Sequence, residues 1–335
     1  MTRQEHQAIQ QTVNKWPPYW FEGRMLRVLV LGAAAGGGFP QWNCNRESCR
    51  RARQRDPNAT PQTQSSLAVS ADGENWYLLN ASPDLRQQIF DTPQLHPKNG
   101  TRHSPIAGVV LTNCDVDHIA GLLTMRESSA FALYATRKVL GVLAGNSIFG
   151  VLNPDFVKRR EFRLDQPFEA VTADGRLSGI EIEAFAVPGK VALYLENGTA
   201  ENNFGSEKED TVGLRVASKS DGRHFYYIPG CAALDAPLAA RLQAAPLVFF
   251  DGTLWRDDEM IAAGTGVNKT GQRMGHMSMS GPDGAIAAFE SLDVQRKLFI
   301  HINNTNPVLI SDSEESRVVR ESDWELARDG MEINL

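Results

Sequence analysis

The chain has 335 residues, 42% hydrophobic and 22% charged, with a net charge of −6, which fits a soluble globular protein with a sizeable core. The acidic balance and the lack of a basic stripe argue against a nucleic-acid partner, and no apolar run approaches the ~20 residues of a membrane span. Four cysteines are too few for a disulfide framework, and the polar start has no secretory core, so the expected setting is the cytoplasm.

Residues 1–24 read as an N-terminal extension to a domain over residues 25–335. A Gln-rich stretch from Arg3 to Asn14 has helical character, and Trp16-Pro17-Pro18-Tyr19-Trp20-Phe21 follows. Such an arm can cover an apolar patch, including one on a neighbouring subunit of a homodimer, or act as a substrate lid. Met25 to Leu31 alternates as a strand and runs into Gly36-Gly37-Gly38. Neither G-x-G-x-x-G nor Gly-Lys-Ser/Thr is present, so the glycines point to close backbone approach or unusual dihedrals beside a site.

Ser66 to Asn80 reads as a hairpin turning at Ala71-Asp72-Gly73, and Asn80 to Gln88 turns into a helix with Ser82 as its N-cap. Ile106 to Leu111 is a buried strand leading into Asn113-Cys114-Asp115-Val116-Asp117-His118, with a helix from Gly121 that carries Arg126. Carboxylates and an imidazole on one turn after a strand are well placed to hold a metal open to substrate, while Cys114 faces the core. Phe131 to Tyr134 is a further strand and Val139 to Phe149 a helix, and alternating strand and helix units continue through Ile180 to Pro188 and Val212 to Ala217. Phe225 to Ile228 ends at Pro229-Gly230-Cys231, Leu247 to Phe250 delivers Asp251, and Gly275-His276 precedes a helical segment around Gly284 to Ser291. Leu298 to Ile300 presents His301 at its tip.

The central stretch resembles the metallo-β-lactamase signature His-x-His-x-Asp-His, with Asn113 and Asp115 in place of the leading histidines and Asp117-His118 retained. More specifically, Leu31 to Cys44, Thr63-Gln64-Ser65-Ser66, Asn80 to Arg86, Asn113 to Leu123, Asp251 to Trp255 and Ile300 to Pro307 together resemble the coenzyme PQQ (pyrroloquinoline quinone) synthesis protein B family over residues 25–335. The resemblance implies an α/β fold of the metallo-β-lactamase αββα type. It also implies a role in PQQ biosynthesis: hydroxylation of the tyrosine ring of a small Glu-Tyr-derived peptide precursor, with O₂ as co-substrate. By family position Asp84, Arg86 and Arg126 are substrate candidates. The family's C-x-C-x-x-C cluster is reduced here to Cys44 and Cys49, with Arg46 in the middle. Two thiolates beside a guanidinium make a poor structural zinc site, so that zinc is expected to be lost or weak.

Of the superfamily's two-metal set, the third histidine near Ala186-Val187-Pro188-Gly189 is missing and Gly230 replaces the bridging aspartate. Asp117, His118 and His301 remain, and two imidazoles with one carboxylate form the facial arrangement of non-heme Fe(II) oxygenases. Asp115 is then a further ligand or a base for a phenolic proton, and Asp251 and His276 are candidates for proton transfer or for supporting the ligands. Two other readings stay open: a carrier for PQQ or its precursor, without turnover, and a hydrolase with one Zn²⁺.

Overall fold

Strand β1 (Arg27–Gly32) buries Val28 and Val30 on one face and Leu29 and Leu31 on the other, so its sheet must be covered on both sides. The computed structural model describes residues 25–196, 209–266 and 268–335 and supplies both covers. The readings of residues 1–24 as a helix, arm or subunit cover lie outside the described residues.

β1 joins β2 (Ser66–Ser70), β3 (Trp76–Leu79), β4 (Ile106–Val110), β5 (Phe131–Ala135), β6 (Val157–Glu161) and the C-terminal β14 (Glu332–Asn334) in a sheet ordered β14-β1-β2-β3-β4-β5-β6. The second sheet runs β13-β12-β11-β10-β9-β8-β7. Its strands are β7 (Phe168–Val171), β8 (Leu177–Ala186), β9 (Val212–Ser218), β10 (His224–Ile228), β11 (Val248–Asp251), β12 (Lys297–Ile300) and β13 (Glu325–Leu326). Val28, Val69, Leu79 and Val110 from one sheet meet Ile182, Val216, Tyr227 and Phe249 from the other in the central core. On the outer face of the first sheet, α2 (Leu85–Asp91) and α4 (Arg137–Gly145) bury Leu85, Val139 and Leu143. On the outer face of the second, α5 (Ala236–Leu242) and α8 (Glu314–Glu321) bury Leu238, Leu242 and Val319. The architecture is the expected αββα sandwich. The shorter helices α1 (Glu47–Arg53), α3 (Val116–Ile119), α6 (Glu259–Ala262) and α7 (Ala285–Ala288) lie in the connections.

Several local expectations are corrected. Among the described residues between β6 and β9 there is no α-helix. β7, β8 and β9 pair antiparallel, and such a meander needs no helical crossover. Ser82 does not cap α2: Asp84 occupies the cap position, and the Ser82 hydroxyl bonds Gln88 Oε1 at 3.0 Å. The expected helix over Val139–Phe149 breaks at Asn146 into a separate 3₁₀ turn, Ser147–Val151. After α3 the chain forms a 3₁₀ turn, Ala120–Met125, rather than an α-helix, and Arg126 lies just beyond it.

That turn is clamped. The Gly121 amide donates to Ala81 O at 2.9 Å, and a Cβ on Gly121 would sit 2.2 Å from Ser82 O. Gly121→Ala is therefore expected to cost about 3 kcal/mol through backbone displacement, read as a lower urea midpoint at unchanged slope. A wild-type midpoint would show that the turn yields freely.

A second tie joins the chain's end to its start. Asp329 accepts the Ala33 amide at 3.1 Å and the Thr63 amide at 2.7 Å, while its own amide donates to Gln62 Oε1 at 2.8 Å. Burial outweighs these bonds and pushes its carboxyl up to about 6. The folded state then holds this proton more tightly than the unfolded chain, so the stability contribution is full below about pH 4 and lost as pH rises to about 6. Asp329→Asn should flatten this part of a stability-versus-pH curve measured by urea unfolding. An unchanged slope would mean that Asp329 does not titrate there.

Candidate metal centre

β3, β4, β5 and β6 run parallel, as do β10, β11, β12 and β13, so their C-terminal ends gather loops at one edge of the sandwich. This is where α/β sheets place their sites. Buried Asn80, with φ of +65°, accepts the Thr112 amide through Oδ1 at 2.9 Å and donates through Nδ2 to Thr112 Oγ1 at 2.9 Å, fixing the exit of β4. Asn113 then folds its side chain back: Oδ1 accepts the Asp115 amide at 3.0 Å and lies 2.7 Å from His118 Nδ1. Asn113 thus shapes the turn and takes the Nδ1 proton of His118. His118 Nε2 is left buried without a hydrogen-bond partner, 3.9 Å from Asp117 Oδ2.

His301 enters from the tip of β12 with φ of +62°, a left-handed conformation uncommon outside glycine. Thr253 holds it there, with Oγ1 2.8 Å from His301 Nδ1 and 3.0 Å from His301 O. The same hydroxyl donates to Asp251 Oδ1 at 2.6 Å, the shortest of its contacts. Its single proton therefore goes to Asp251, and Oγ1 accepts the Nδ1 proton of His301. His276 follows the same rule, giving its Nδ1 proton to Asp251 Oδ2 at 2.6 Å. In all three histidines Nδ1–H points into the protein scaffold, which leaves Nε2 as the nitrogen that faces the site.

His301 Nε2 lies 2.9 Å from Asp117 Oδ2, and a lone pair facing a carboxylate at that distance requires a proton or a cation. Without a metal the proton wins: burial alone would lower the His301 pKa, but the hydrogen bond and charge of Asp117 raise it. Burial likewise opposes ionisation of Asp117, yet His118 and His301 hold its carboxyl well below the usual range. Burial depresses His118, against the pull of Asp117. The donor atoms of Asp117, His118 and His301 all lie within 4.8 Å of one another. Together with the unpartnered His118 Nε2, this donor set fits a divalent metal.

These residues line a cavity of about 560 Å³, together with Asp115, His276 and Thr253. Gly36 belongs to the glycine loop after β1 and rests against Asp117; a Cβ there would lie 3.5 Å from its carboxylate, and Gly37 and Gly38 have φ of +94° and +69°. Gly230 also faces the cavity, and a Cβ there would lie 3.6 Å from the His276 ring. Asp251 is fully buried beneath the cavity and accepts from Cys231 N, Thr253 N, Thr253 Oγ1 and His276 Nδ1. Its oxygens are engaged by His276 and Thr253, and with His276 and His301 it forms a second group whose donor atoms lie within 4.8 Å of one another.

Asp84, Arg86 and Arg126 are not brought to this cavity. The Asp84 carboxylate accepts Gln64 N and Nε2 at 2.9 and 3.0 Å, and Gln64 Oε1 holds the Gly37 amide, so Asp84 supports the glycine loop. Arg86 is exposed on α2, and Arg126 is exposed with its guanidinium on Leu123 O and Glu127. Cys49 is buried on α1 with Cys44 half-buried nearby, while the Arg46 guanidinium donates to Ala263 O. Among the described residues, the clusters with three or more metal-donor side chains include neither cysteine. Cys114 packs in the core outside the first sheet, where burial pushes its thiol up to about 11. Thr253 and the orienting role of Asn113 were not legible as site features. The spacing Asp251-Gly252-Thr253 was the available signal for the first.

The fold and this His/Asp centre define a metallo-β-lactamase-type protein, and residues 75–302 match the beta-lactamase superfamily domain. The chain is 56% identical over 313 residues to coenzyme PQQ synthesis protein B of Rhodopseudomonas palustris (strain BisB5), covering 93% of this chain and 100% of that one. It is also 56% identical over 310 residues to the protein of the same name from Gluconacetobacter diazotrophicus, covering 92% and 99%. The crystal structure of Zn²⁺-bound PqqB from Methylobacterium extorquens matches with a TM-score of 0.87 at 49% identity, over 92% of this chain and 100% of that one. A diphosphatase of the PhnP family shares the fold alone, at 19% identity and a TM-score of 0.65 over 93% and 97%. The chain belongs to the coenzyme PQQ synthesis protein B family. Among the described residues, no helix is long and apolar enough to cross a membrane.

Thr253→Val keeps the shape of the side chain but removes the acceptor for His301 Nδ1–H. It should weaken metal binding by about 10- to 100-fold in competition with a chromophoric chelator. Wild-type affinity would show that His301 is oriented by packing alone.

Proposed function

We propose that this protein works in PQQ biosynthesis as an Fe(II)- and O₂-dependent hydroxylase of the tyrosine ring in a small Glu-Tyr-derived precursor. The observation that carries this reading is the donor set Asp117, His118 and His301 on one side of an open cavity. Two positions of a two-metal hydrolase set offer no ligand here: Asn113 is committed to the turn, and Gly230 has no side chain to offer. An Fe(II) held by these three residues would supply the reduction of O₂.

The chain's own residues supply positioning and proton transfer. Asp115 lines the cavity and would accept a phenolic proton. His276 has its Nδ1 proton fixed on Asp251, so the Nε2 lone pair on the other edge of its ring is the second proton acceptor. Insertion of one oxygen atom into a ring C–H bond leaves the other as water and consumes two electrons and two protons. A small-molecule reductant such as a thiol or ascorbate meets that need.

The Zn²⁺-bound relative favours one other reading, a hydrolase with a single zinc activating water. Metal identity and product separate the two. Protein loaded anaerobically with Fe(II) and then given O₂, reductant and a tyrosine-containing precursor peptide should yield a product heavier by one oxygen atom, with none from His301→Ala. His276→Gln should slow this reaction about 100-fold with Fe(II) affinity retained. Zn²⁺-dependent cleavage of the peptide, with no oxygen incorporated, would favour the hydrolase.

A further inference from the structure

One wall of the cavity carries charges that the metal centre does not use. Lys190, Glu196 and Lys269 all line it. Lys269 Nζ bonds Glu196 Oε2, and Lys190 Nζ lies 3.7 Å from Glu196 Oε1. Only 13% of the Lys190 side chain and 17% of the Glu196 side chain are exposed. Among the described residues, two ammonium groups thus share a single carboxylate, with Lys190 and Glu196 largely buried and 32% of the Lys269 side chain exposed. Lys190 also donates to Val191 O at 3.2 Å, a neutral acceptor that leaves the charge uncompensated.

The backbone is shaped to place these groups. A Cβ on Gly275 would lie 3.1 Å from Lys190 Cγ, so the lysine stem runs over a glycine next to His276, and Gly275 has φ of +88°. Gly189 makes equal room: a Cβ there would meet the Thr211 side chain at 2.9 Å, and the Thr211 hydroxyl holds Lys190 O at 3.1 Å. Ordering a long lysine side chain in a wall costs conformational entropy, which a shared, incomplete ion pair recovers poorly. An arriving anion would complete the pairing.

The geometry points to Lys190 and Lys269 as the seat of a substrate carboxylate, with Glu196 holding both ammonium groups in place until the ligand arrives. Among the described residues lining the cavity, the other Asp, Glu, Lys and Arg side chains are the carboxylates Asp115 and Asp117 at the metal end. A ligand with a carboxylate at one end and an uncharged ring at the other therefore enters in one sense, carboxylate toward the lysines and ring toward His118 and His301. The inference rests on the reading that a Glu-Tyr-derived molecule enters this cavity.

The test is calorimetric titration of the full chain, loaded with redox-inert Zn²⁺, with the dipeptide glutamyl-tyrosine and with its diamide. The free acid should bind about tenfold more tightly than the diamide. Lys190→Met and Lys269→Met should each remove most of that preference while leaving the diamide affinity unchanged. Glu196→Gln, which frees both ammonium groups, should tighten binding of the acid several-fold, whereas a purely structural ion pair would make all three variants bind worse. The proposal is overturned if the wild type shows no preference, including by binding neither probe. It is equally overturned if the lysine variants keep the preference, which would assign the carboxylate to the metal. The binding experiment involves no turnover: an intact acid preference without oxygen incorporation removes the hydroxylase and keeps the seat, and the opposite pair of results does the reverse.

Discussion

The buried carboxylate of Asp251 is the interaction on which the site depends. It lies at the end of a parallel strand and takes hydrogen bonds from the backbone at Cys231, from the amide and hydroxyl of Thr253, and from the His276 ring. A charge taken out of water is tolerable only when its acceptor sites are filled, and leaving one empty costs roughly 1–3 kcal/mol. The same four donors fix the turns after β10 and β11, set the tautomer of His276 and, through Thr253, that of His301.

The metal end is organised by the opposite condition, incomplete satisfaction. His118 Nε2 has no partner, and His301 Nε2 faces Asp117 at a distance that needs a positive charge between them. In the metal-free protein a proton fills part of that need, so metal binding and proton release are linked. The Gly36 segment closes over Asp117, and the adjoining backbone pairs with the chain around His301 through Ala35 N to Ile302 O and Ile302 N to Ala33 O, each within 2.9 Å. The donors are held from both sheets by groups that do not themselves bind the metal.

Replacement of histidine by asparagine at position 113 illustrates how a familiar motif changes its work. An imidazole there would be a ligand. The shorter amide instead reaches its own turn and the next ring, so the residue orients the candidate ligand His118 rather than offering a donor itself. Among the described residues, metal-donor side chains gather at one end of the cavity, as Asp117, His118 and His301 and as Asp251, His276 and His301, and a lysine-rich wall stands apart from them, an arrangement with direction.

Much of this was legible in the sequence. Apolar alternation located most strands, and Asp117, His118, Asp251 and His301 could be placed at strand ends, because a strand's period and its terminal polar residues are local properties. Local pattern failed where tertiary contacts intervene: the Gly121 amide is bonded to Ala81 O within a 3₁₀ turn, and the Ser82 hydroxyl is used by Gln88 rather than as a cap. Asp84, Arg86 and Arg126 were readable as polar residues near motifs, but only the fold shows Asp84 turned to Gln64 and both arginines outside the cavity. The hydroxyl of Thr253 between Asp251 and His301, and the meeting of Lys190 with Lys269 across Glu196, join residues distant in the chain. The sequence alone determined which chemical groups stand at strand ends; which of them meet was decided by the packing of the two sheets, since contacts between distant segments have no local pattern.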